Sequence, residues 1–435
     1  MKKKISLSLS VAITLIAMTV TFSITMIVAM QLFDRTVTAV KAKETMYNKI
    51  AEIDQVAREN YYADIDDQTL NDMISTGYIA GLNDKNSRYY TVKQMSELTD
   101  LHAGKLIGIG IEVIKDSTGY AKVVKVYVGS PAEEAGIEKG SYITQIDGAD
   151  LKTATLENIR SLLQGEAGTS VKLLNVLGSD EEELELTRKT YETPTVETSM
   201  QGETGYVKIS TFNEKTPAEF DYGVRQLIEQ GATSLVFDLR GNSSTMLEQA
   251  ARALDVLCPS GTLFSATYKD GTNEALYTSD DSEITLPMVV LTNGETASAG
   301  EMFAAVLRDY GKAKLVGERT AGKGTLQQLY RLTDGSGLEV TVATLLPPSS
   351  TAFDQVGLAP DYESSLSAEQ MQNFYDLTFS SDTQIQRALE VADALAKNQQ
   401  VAEAREAAAS QSASTDESSS EEGSSSDSAS DSEGE

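Results

Sequence analysis

Three residues of this chain could carry out acyl transfer together: Ser298, Lys323 and Gln327. Ser298 stands in the small-residue turn Thr296-Ala297-Ser298-Ala299-Gly300, Lys323 lies between Gly322 and Gly324, and Gln327 follows four residues on. A serine hydroxyl becomes a useful nucleophile when a neighbouring base takes its proton. The chain has 1 histidine, His102, in the segment LHAGK, so a histidine base has a single candidate. Lysine is the alternative base for a serine nucleophile. It must be neutral near pH 7, which means a fall of about three units from ~10.4, at about 1.36 kcal/mol per unit. Burial in an apolar pocket imposes shifts of that kind, and the flanking glycines let the backbone tuck the side chain inward. If 323–327 is extended, residues 323, 325 and 327 share one face. The Gln327 amide would then hold the amine without adding a charge that raises its pKa. Taken singly, each residue has a plainer reading: Ser298 as a helix N-cap, Lys323 as a solvated turn lysine, Gln327 as a polar strand residue facing water.

The elements around these residues decide between the readings. After Ser298, an apolar face of Met302, Phe303, Val306, Leu307 and Tyr310 predicts an amphipathic helix. Ser298 thus sits at a helix N-terminus, where unpaired, dipole-aligned N–H groups suit a developing oxyanion. Ala297, Ala299 and Gly300 leave room for a substrate backbone. Gly317 to Gly324 reads G-x-x-x-x-G-K-G, close to a nucleotide P-loop. The Ser/Thr directly after the lysine, which would bind magnesium, is missing, and Thr325 is one position late. No Cys/His cluster suggests zinc, and the chemistry requires neither a metal nor another cofactor.

Composition excludes other classes. The net charge of −29, from 36 basic and 65 acidic residues, has the wrong sign for binding phosphate backbones, which disfavours nucleic acid as a partner. The single cysteine, Cys258, lies in the apolar run LDVLCPS and reads as a small buried hydrophobe. Lys2, Lys3 and Lys4 precede an uncharged apolar stretch over 5–33. That exceeds the about 7–15 residues of a signal-peptide core and reaches the about 20 that cross a bilayer. The reading is a short cytoplasmic head (1–4) and a single-pass anchor (5–33), with the rest extracytoplasmic at the cell membrane. A cleaved signal peptide, with Val37-Thr38-Ala39 near its processing site, is the alternative.

Residues 34–103 show helical spacing, for example at Met73, Ile74, Tyr78 and Ile79. Over 104–189 the texture changes to short strands and glycine turns. GIGI (Gly108, Ile109, Gly110, Ile111) and GSPAEEAGIEKGSYITQIDG (Gly129 to Gly148) resemble a PDZ domain. Successive N–H groups in such a glycine-rich loop form a nest for an anion, and an added strand satisfies a sheet edge. A peptide's C-terminal carboxylate is such an anion. From 190 to 398, strands such as TGYVKISTF, SLVFDL and PMVVLTN alternate with helices, arguing for a layered α/β core with a closing helix. The segment 399–435 turns rich in Ser, Asp and Glu, and its last 25 residues hold eight acids and no bases. A tail of this composition is expected to be disordered.

Together the motifs resemble the C-terminal processing (tail-specific) peptidases, serine proteases with a Ser–Lys dyad and a PDZ domain. The likeness runs from about Ile50 to Ala396, through NDKNSRYYT, the PDZ segment, GYVKISTFNE, VFDLRGN, TNGETASAGE, VGERTAGKGTLQ and GLAPD. The family's S-A-S-A-S-E matches Thr296 to Glu301, and its G-K-G-x-x-Q matches Gly322 to Gln327. The resemblance implies a multidomain α/β protein: an N-terminal transmembrane helix, a PDZ domain, a Clp-protease/crotonase-like α/β catalytic core and a disordered acidic tail. It implies Ser298 as nucleophile, Lys323 as base, Gln327 as its partner, and N–H groups of Ala299 and Ser244 as the oxyanion hole. The expected partner is a protein or peptide with a free, apolar C-terminus, and relatives also form dimers. Two departures bear on this. The family's R-N/G-N-P-G-G turn is Arg240-Gly241-Asn242-Ser243-Ser244-Thr245 here, and a non-glycine residue is strained if the turn needs φ > 0. Gln164 replaces an arginine at the end of the PDZ helix. The alternative from another class is an inactive PDZ scaffold that binds protein tails at the membrane.

Overall fold

The computed structural model describes residues 7–421, with side chains described over 15–31 and 43–405. Two units are compact in themselves, residues 1–75 and residues 76–435. The first is dominated by one helix, Leu7–Asn60. Leu15, Ile16, Met18, Phe22, Ile24 and Met26 along it are all exposed. Among the described residues no helix is long and apolar enough to cross a membrane. The anchor expected over 5–33 is therefore not established by the fold, and its first residues lie outside the described ones.

The catalytic-side core of the second unit is a six-stranded sheet. Its order is Val196–Gln201, Thr204–Ile209, Ser234–Asp238, Met288–Thr292, Ala313–Gly317, Tyr362–Glu363. The first pair is antiparallel and the rest are parallel. The two central strands are buried along their whole length, as expected when helices cover both faces. Alternation sorts their side chains. Leu235, Phe237, Met288 and Val290 face the helices Thr216–Glu229, Leu247–Asp255 and Ala299–Asp309. Val236, Val289 and Leu291 face Ile385, Ala388, Val391 and Ala392 of the closing helix.

The helix Ala299–Asp309 departs from the amphipathic expectation, because every side chain from Ala299 to Leu307 is buried. It lies between the parallel sheet and a second sheet, where Gly261–Tyr268 touches it. The Phe303 ring meets Phe212, Phe220 and Phe237 with centroids 5.6 to 6.0 Å apart. The second sheet is antiparallel, with Gly337–Leu346 at its centre. The strand Arg88–Tyr90, from the turn-rich NDKNSRYYT, pairs with its start on one side, and Thr325–Arg331 pairs with it on the other.

The PDZ segment forms its own sheet, in the order Ile111–Lys115, Ala121–Val126, Tyr142–Ile146, Ser170–Leu177, Asp180–Thr187, around a separate core. A ribbon of Lys105–Gly108 against Lys189–Glu192 closes it off. The closing helix runs Thr383–Glu421 rather than ending near 398. The run VAEAREAAAS is rich in strong helix formers and has no glycine or proline to stop it. The remainder of the acidic tail lies outside the described residues.

Candidate active site

Ser298 is placed by a turn fixed from three directions. The Thr296 hydroxyl donates to Leu239 O at 2.9 Å and accepts from Asn293 N–H at 3.0 Å. The Ala297 N–H donates to Asn242 O at 2.9 Å. The chain then enters the helix through Ser298 at φ 52°, ψ −110°. A serine in that region is strained by about 1–3 kcal/mol, a cost that surrounding contacts must offset.

Glu301 joins the serine turn to the lysine loop. Its side chain is fully buried. Oε2 accepts the N–H of Ser298 at 3.0 Å and the N–H of Lys323 at 2.7 Å. Oε1 accepts the N–H of Gly322 at 2.7 Å and the Thr320 hydroxyl at 2.5 Å. Four donors on one carboxyl group satisfy its buried oxygens without a cation. They also set the backbones of residues 298 and 323 on the same oxygen atom.

Lys323 is half-buried, and this burial pushes its pKa below the ordinary lysine value. Glu339 and Asp84 pull it up in part, while Arg88 and Lys85 add to the fall. Gln327 lies next to a register shift in the pairing of Thr325–Arg331 with Gly337–Leu346. Its amide nitrogen donates to Thr325 Oγ1 at 2.7 Å and Thr341 Oγ1 at 3.2 Å. Both amide hydrogens are thus committed, and the carbonyl oxygen is the group left to meet an amine. Among the described residues no hydrogen bond directly links the side chains of Ser298, Lys323 and Gln327. Ser298 and Gln327 line one cavity of about 230 Å³, with Met246, Tyr277, Glu339 and His102. Burial holds the His102 pKa below its ordinary value, against the pull of Glu339 and Glu214.

The turn 240–245 bears on the oxyanion expectation. The Ala299 N–H donates to Ser244 O at 3.0 Å, and the Ser244 N–H donates to Asn242 Oδ1 at 3.2 Å. Both expected donors are occupied by the turn itself. The Ser244 hydroxyl pins this arrangement by donating to Phe212 O at 2.9 Å and accepting from Met246 N–H at 3.2 Å. Positive φ is found at Gly241 (φ 76°) and at none of Ser243, Ser244 or Thr245, so serine at 244 is not strained there. Arg240 anchors the turn below. Its guanidinium bonds Asp238 at 2.7 Å, Asp382 at 2.8 Å and Gln384 at 3.0 Å. Burial would raise the Asp238 pKa, but Arg240 and the Tyr206 hydroxyl outweigh it and hold the carboxyl below its usual range.

The PDZ unit carries a second cavity, of about 240 Å³, lined by Gly108, Ile109, Gly110 and Ile111 together with Tyr127 and Leu163. The carbonyls of Ile109 and Gly110 are taken by Ala132 N–H at 2.8 Å and Tyr127 N–H at 3.0 Å. Gly110 has φ 81°, and a Cβ there would lie 2.0 Å from the Ser130 side chain, so only glycine fits. The strand Ile111–Lys115 has one neighbour and is a sheet edge, beside the helix Leu156–Leu163. A third cavity, lined by Leu98, Leu101, Leu106, Ile107 and Gln164, shares the last three residues with the PDZ cavity.

Comparison with known proteins shows the family. Residues 203–364 match the model of peptidase family S41, and residues 122–174 match that of the PDZ domain. A carboxyl-terminal-processing protease of Synechocystis is 32% identical over 321 residues, 72% of this chain and 74% of that protein. The chain belongs to peptidase family S41. The carboxy-terminal processing protease CtpA of Bacillus subtilis is 31% identical over 326 residues, 74% of this chain and 70% of that protein. A solved structure from Bacteroides fragilis, assigned to S41, shares the fold: TM-score 0.52 at 18% identity, covering 77% of this chain and 91% of that one. This is a C-terminal processing peptidase of the serine class with a PDZ domain.

In this S41 peptidase the sequence motifs led to Ser298, Lys323 and Gln327 but not to the groups that position them. Glu301 had a signal, the S-x-x-E spacing of a capping box. Arg240 and Asp238 lay in the quoted VFDLRGN, yet their partner Asp382 is 142 residues from Arg240 and invisible to local pattern. His102 belongs to a different segment, and only the fold brings it to the cavity of Ser298.

Proposed function

We propose that this S41 peptidase is a membrane-anchored endopeptidase that captures protein C-terminal tails in its PDZ groove and cleaves them with Ser298 as nucleophile and Lys323 as base. The observation that carries this reading is the Glu301 carboxylate, whose one oxygen takes the N–H groups of both Ser298 and Lys323. Lys323 in its neutral form, which burial favours, takes the proton of Ser298 Oγ as that oxygen bonds to the scissile carbonyl carbon. The same proton passes to the leaving amine as the C–N bond breaks. Water then releases the acyl group, with Lys323 again accepting a proton. Gln327 holds the amine through its carbonyl oxygen. The oxyanion meets the N–H groups of Ala299 and Ser244 once the 242–245 turn releases them.

A tail would add to the Ile111–Lys115 edge with its carboxylate at Gly108 to Ile111, and apolar end residues would suit the walls made by Ile109 and Leu163. The chain leading from that tail would follow the cavity at Leu106 and Gln164 toward Ser298. Anchoring rests on the exposed apolar residues of 15–31 and on hydroxyls of that stretch bonding back to their own helix, Thr19 to Leu15 O at 3.0 Å and Thr25 to Thr21 O at 2.9 Å. The occupied oxyanion donors favour a second reading, a PDZ scaffold that binds tails without cutting them.

The test uses the full chain in mild detergent with a loosely folded protein bearing an apolar C-terminus. Cleavage lost in Ser298→Ala and in Lys323→Ala supports the dyad. Cleavage surviving Lys323→Ala but lost in His102→Ala moves the base to His102. Binding of the tail without cleavage by the parent selects the scaffold.

A further inference from the structure

The cavity beside Ser298 has a carboxyl group with an oxygen to spare. Glu339 lines it together with Ser298 and Gln327. The pairing of Thr325–Arg331 with Gly337–Leu346 sets Gln327 opposite Thr341 and Leu329 opposite Glu339. Residues directly opposite in an antiparallel ladder point to the same side, and so do residues two apart on one strand. Gln327, Thr341, Leu329 and Glu339 therefore share one face of the sheet. Two residues along a strand span about 7 Å, so Glu339 stands about that far along the face from the Gln327–Thr341 pair. Its Oε2 accepts from the Tyr90 hydroxyl at 2.9 Å, and Arg88 Nε lies 3.9 Å away on a side chain that is 56% exposed. Oε1 has no hydrogen-bond partner among the described residues. It is also not one of their sealed, unpartnered atoms, which are Asn175 Oδ1 and Gln249 Oε1. The Glu339 side chain is 16% exposed, so Oε1 is open to solvent.

Charge in this cavity runs one way. Among the described residues that line it there is no lysine or arginine. Glu248, its other acidic residue, is paired with Arg252 at 2.7 Å. Burial holds the His102 pKa below its ordinary value, which leaves the imidazole neutral near neutral pH. Against the burial that lowers both, Glu339 pulls the pKa values of His102 and Lys323 upward, so its field reaches both groups. The neighbouring walls, from Met246, Leu326 and Leu329, are apolar. A side chain with a methylene stem and a cationic head suits an apolar wall that ends at a carboxyl group.

We infer that Glu339 is a specificity-determining residue of this peptidase: its carboxyl group takes the cationic head of a substrate lysine or arginine within two residues of the scissile bond. The inference rests on the proteolytic reading of Ser298. Two recognition steps then read different chemistry: the PDZ groove takes an apolar C-terminus, and the cavity at Ser298 takes a basic residue upstream of it. A hydrogen bond between ionised partners is stronger than a neutral one, and a glutamate at the same place is rejected by like charge. A purely structural Glu339, serving only as acceptor for Tyr90, gives no dependence on substrate charge.

The experiment compares peptides with the same apolar C-terminus and lysine, methionine or glutamate at each of the two positions on either side of the cleaved bond. Lysine and methionine have similar stems, so their ratio of kcat/KM on one enzyme reads the head group, and any shift of the Lys323 pKa cancels from it. The full-length enzyme is expected to favour lysine over methionine at one of these positions by roughly tenfold or more, with glutamate cut least. Raising the salt is expected to shrink that ratio in the parent. Glu339→Gln keeps the shape and an acceptor for Tyr90 but removes the charge, and is expected to bring the ratio near unity. Glu339→Lys is expected to reverse the order, with glutamate preferred to lysine. No lysine preference in the parent, a preference indifferent to salt, or an unchanged ratio in Glu339→Gln would each overturn the assignment. Should the parent cut no peptide, the proteolytic reading fails on its own. The affinities of the lysine and methionine peptides for the parent and for Glu339→Gln then decide the role of Glu339: a lysine preference lost in the variant supports it, and equal affinities in the parent overturn it.

Discussion

The Ser298 turn and the PDZ groove are built on opposite principles. Around Ser298 the backbone is held by hydrogen-bonded polar groups removed from water: Glu301 with four donors, and Arg240 between Asp238 and Asp382, all with side chains at most 4% exposed. The PDZ unit has its own core and an open sheet edge. It joins the catalytic side through ion pairs at the surface: Lys125 to Glu197 at 2.6 Å, Lys122 to Asp376 at 2.9 Å and Lys139 to Asp376 at 3.2 Å. Buried networks have few alternative arrangements, and exposed pairs have many. On the proposed reading, chemistry sits where geometry is over-determined, and capture sits where the attachment can give.

The sharpest way to break this comparison is to cut one support on each side. Arg240→Ala leaves Asp238 and Asp382 buried without their cation, which costs about 3–5 kcal/mol. The corresponding cut in the groove is Arg160→Ala, which removes a long 3.5 Å bond to Val113 O and is expected to change stability by less than about 1 kcal/mol. Chemical denaturation of both variants measures the difference. Equal losses would mean that the catalytic side is no more rigidly specified than the groove.

A second measure of the buried side is its pH dependence. Burial depresses the Lys323 pKa, so the folded protein releases that proton at lower pH than the unfolded chain does. Below the folded pKa the lysine is charged in both states and its burial is a full cost to stability. As pH rises from the folded value towards the ordinary lysine value, the cost is relieved, so this group adds stability with pH over that window. Cleavage should follow the same proton, with kcat/KM rising about tenfold per pH unit below the folded pKa and then levelling. A profile that is flat from pH 6 to 10 would rule out Lys323 as the base.

On the proposed mechanism the 242–245 turn is the part of the catalytic side that has to move, and the Ser244 hydroxyl is one of the groups that hold it. Ser244→Gly removes the bonds to Phe212 O and from Met246 N–H, each worth about 0.5–1.5 kcal/mol. It leaves the main chain free to turn the Ser244 carbonyl away from the Ala299 N–H. If the occupied state restrains the enzyme, kcat rises by about three- to tenfold, which is the equivalent of ~1 kcal/mol. A fall in kcat with KM unchanged would show that the Ser244 hydroxyl supports the active arrangement instead.

How much of this was legible in the sequence follows from how far each feature reaches along the chain. The alternation of buried strands and the separate texture of the PDZ segment are local, and the fold has both an α/β sheet and a separate PDZ sheet. Ser298, Lys323 and Gln327 stood out because glycines and small residues crowd their turns. The state of the oxyanion donors was not readable. It depends on which way the peptide after Ser244 points, and that is fixed by Phe212 O, 32 residues away. The closing helix runs past its expected end because the serine and acidic composition points to a tail while the alanines before it carry the helix on to Glu421.

The smallest effect tests the loose side of the comparison. Asp376 takes both Lys122 and Lys139, and these bonds hold its carboxyl below the usual range. A depressed carboxylate contributes stability above its unfolded pKa and loses it as pH falls through the folded value. The attachment therefore weakens only in acid, and it also weakens in high salt, which screens exposed charges. Asp376 is 41% exposed, so Asp376→Asn is expected to cost less than about 1 kcal/mol in global stability. Its visible consequence is local. Lys139 also donates to Tyr375 O at 2.5 Å, and Phe374 lies against Arg240 at 5.3 Å, so this short segment touches both the PDZ unit and the support of the Ser298 turn. Hydrogen exchange over 373–382 should quicken in Asp376→Asn while the amides of 298–303 stay protected. Quickening in both segments would show that the two regions are mechanically coupled, and the division between a fixed site and a loosely attached capture domain would have to be given up.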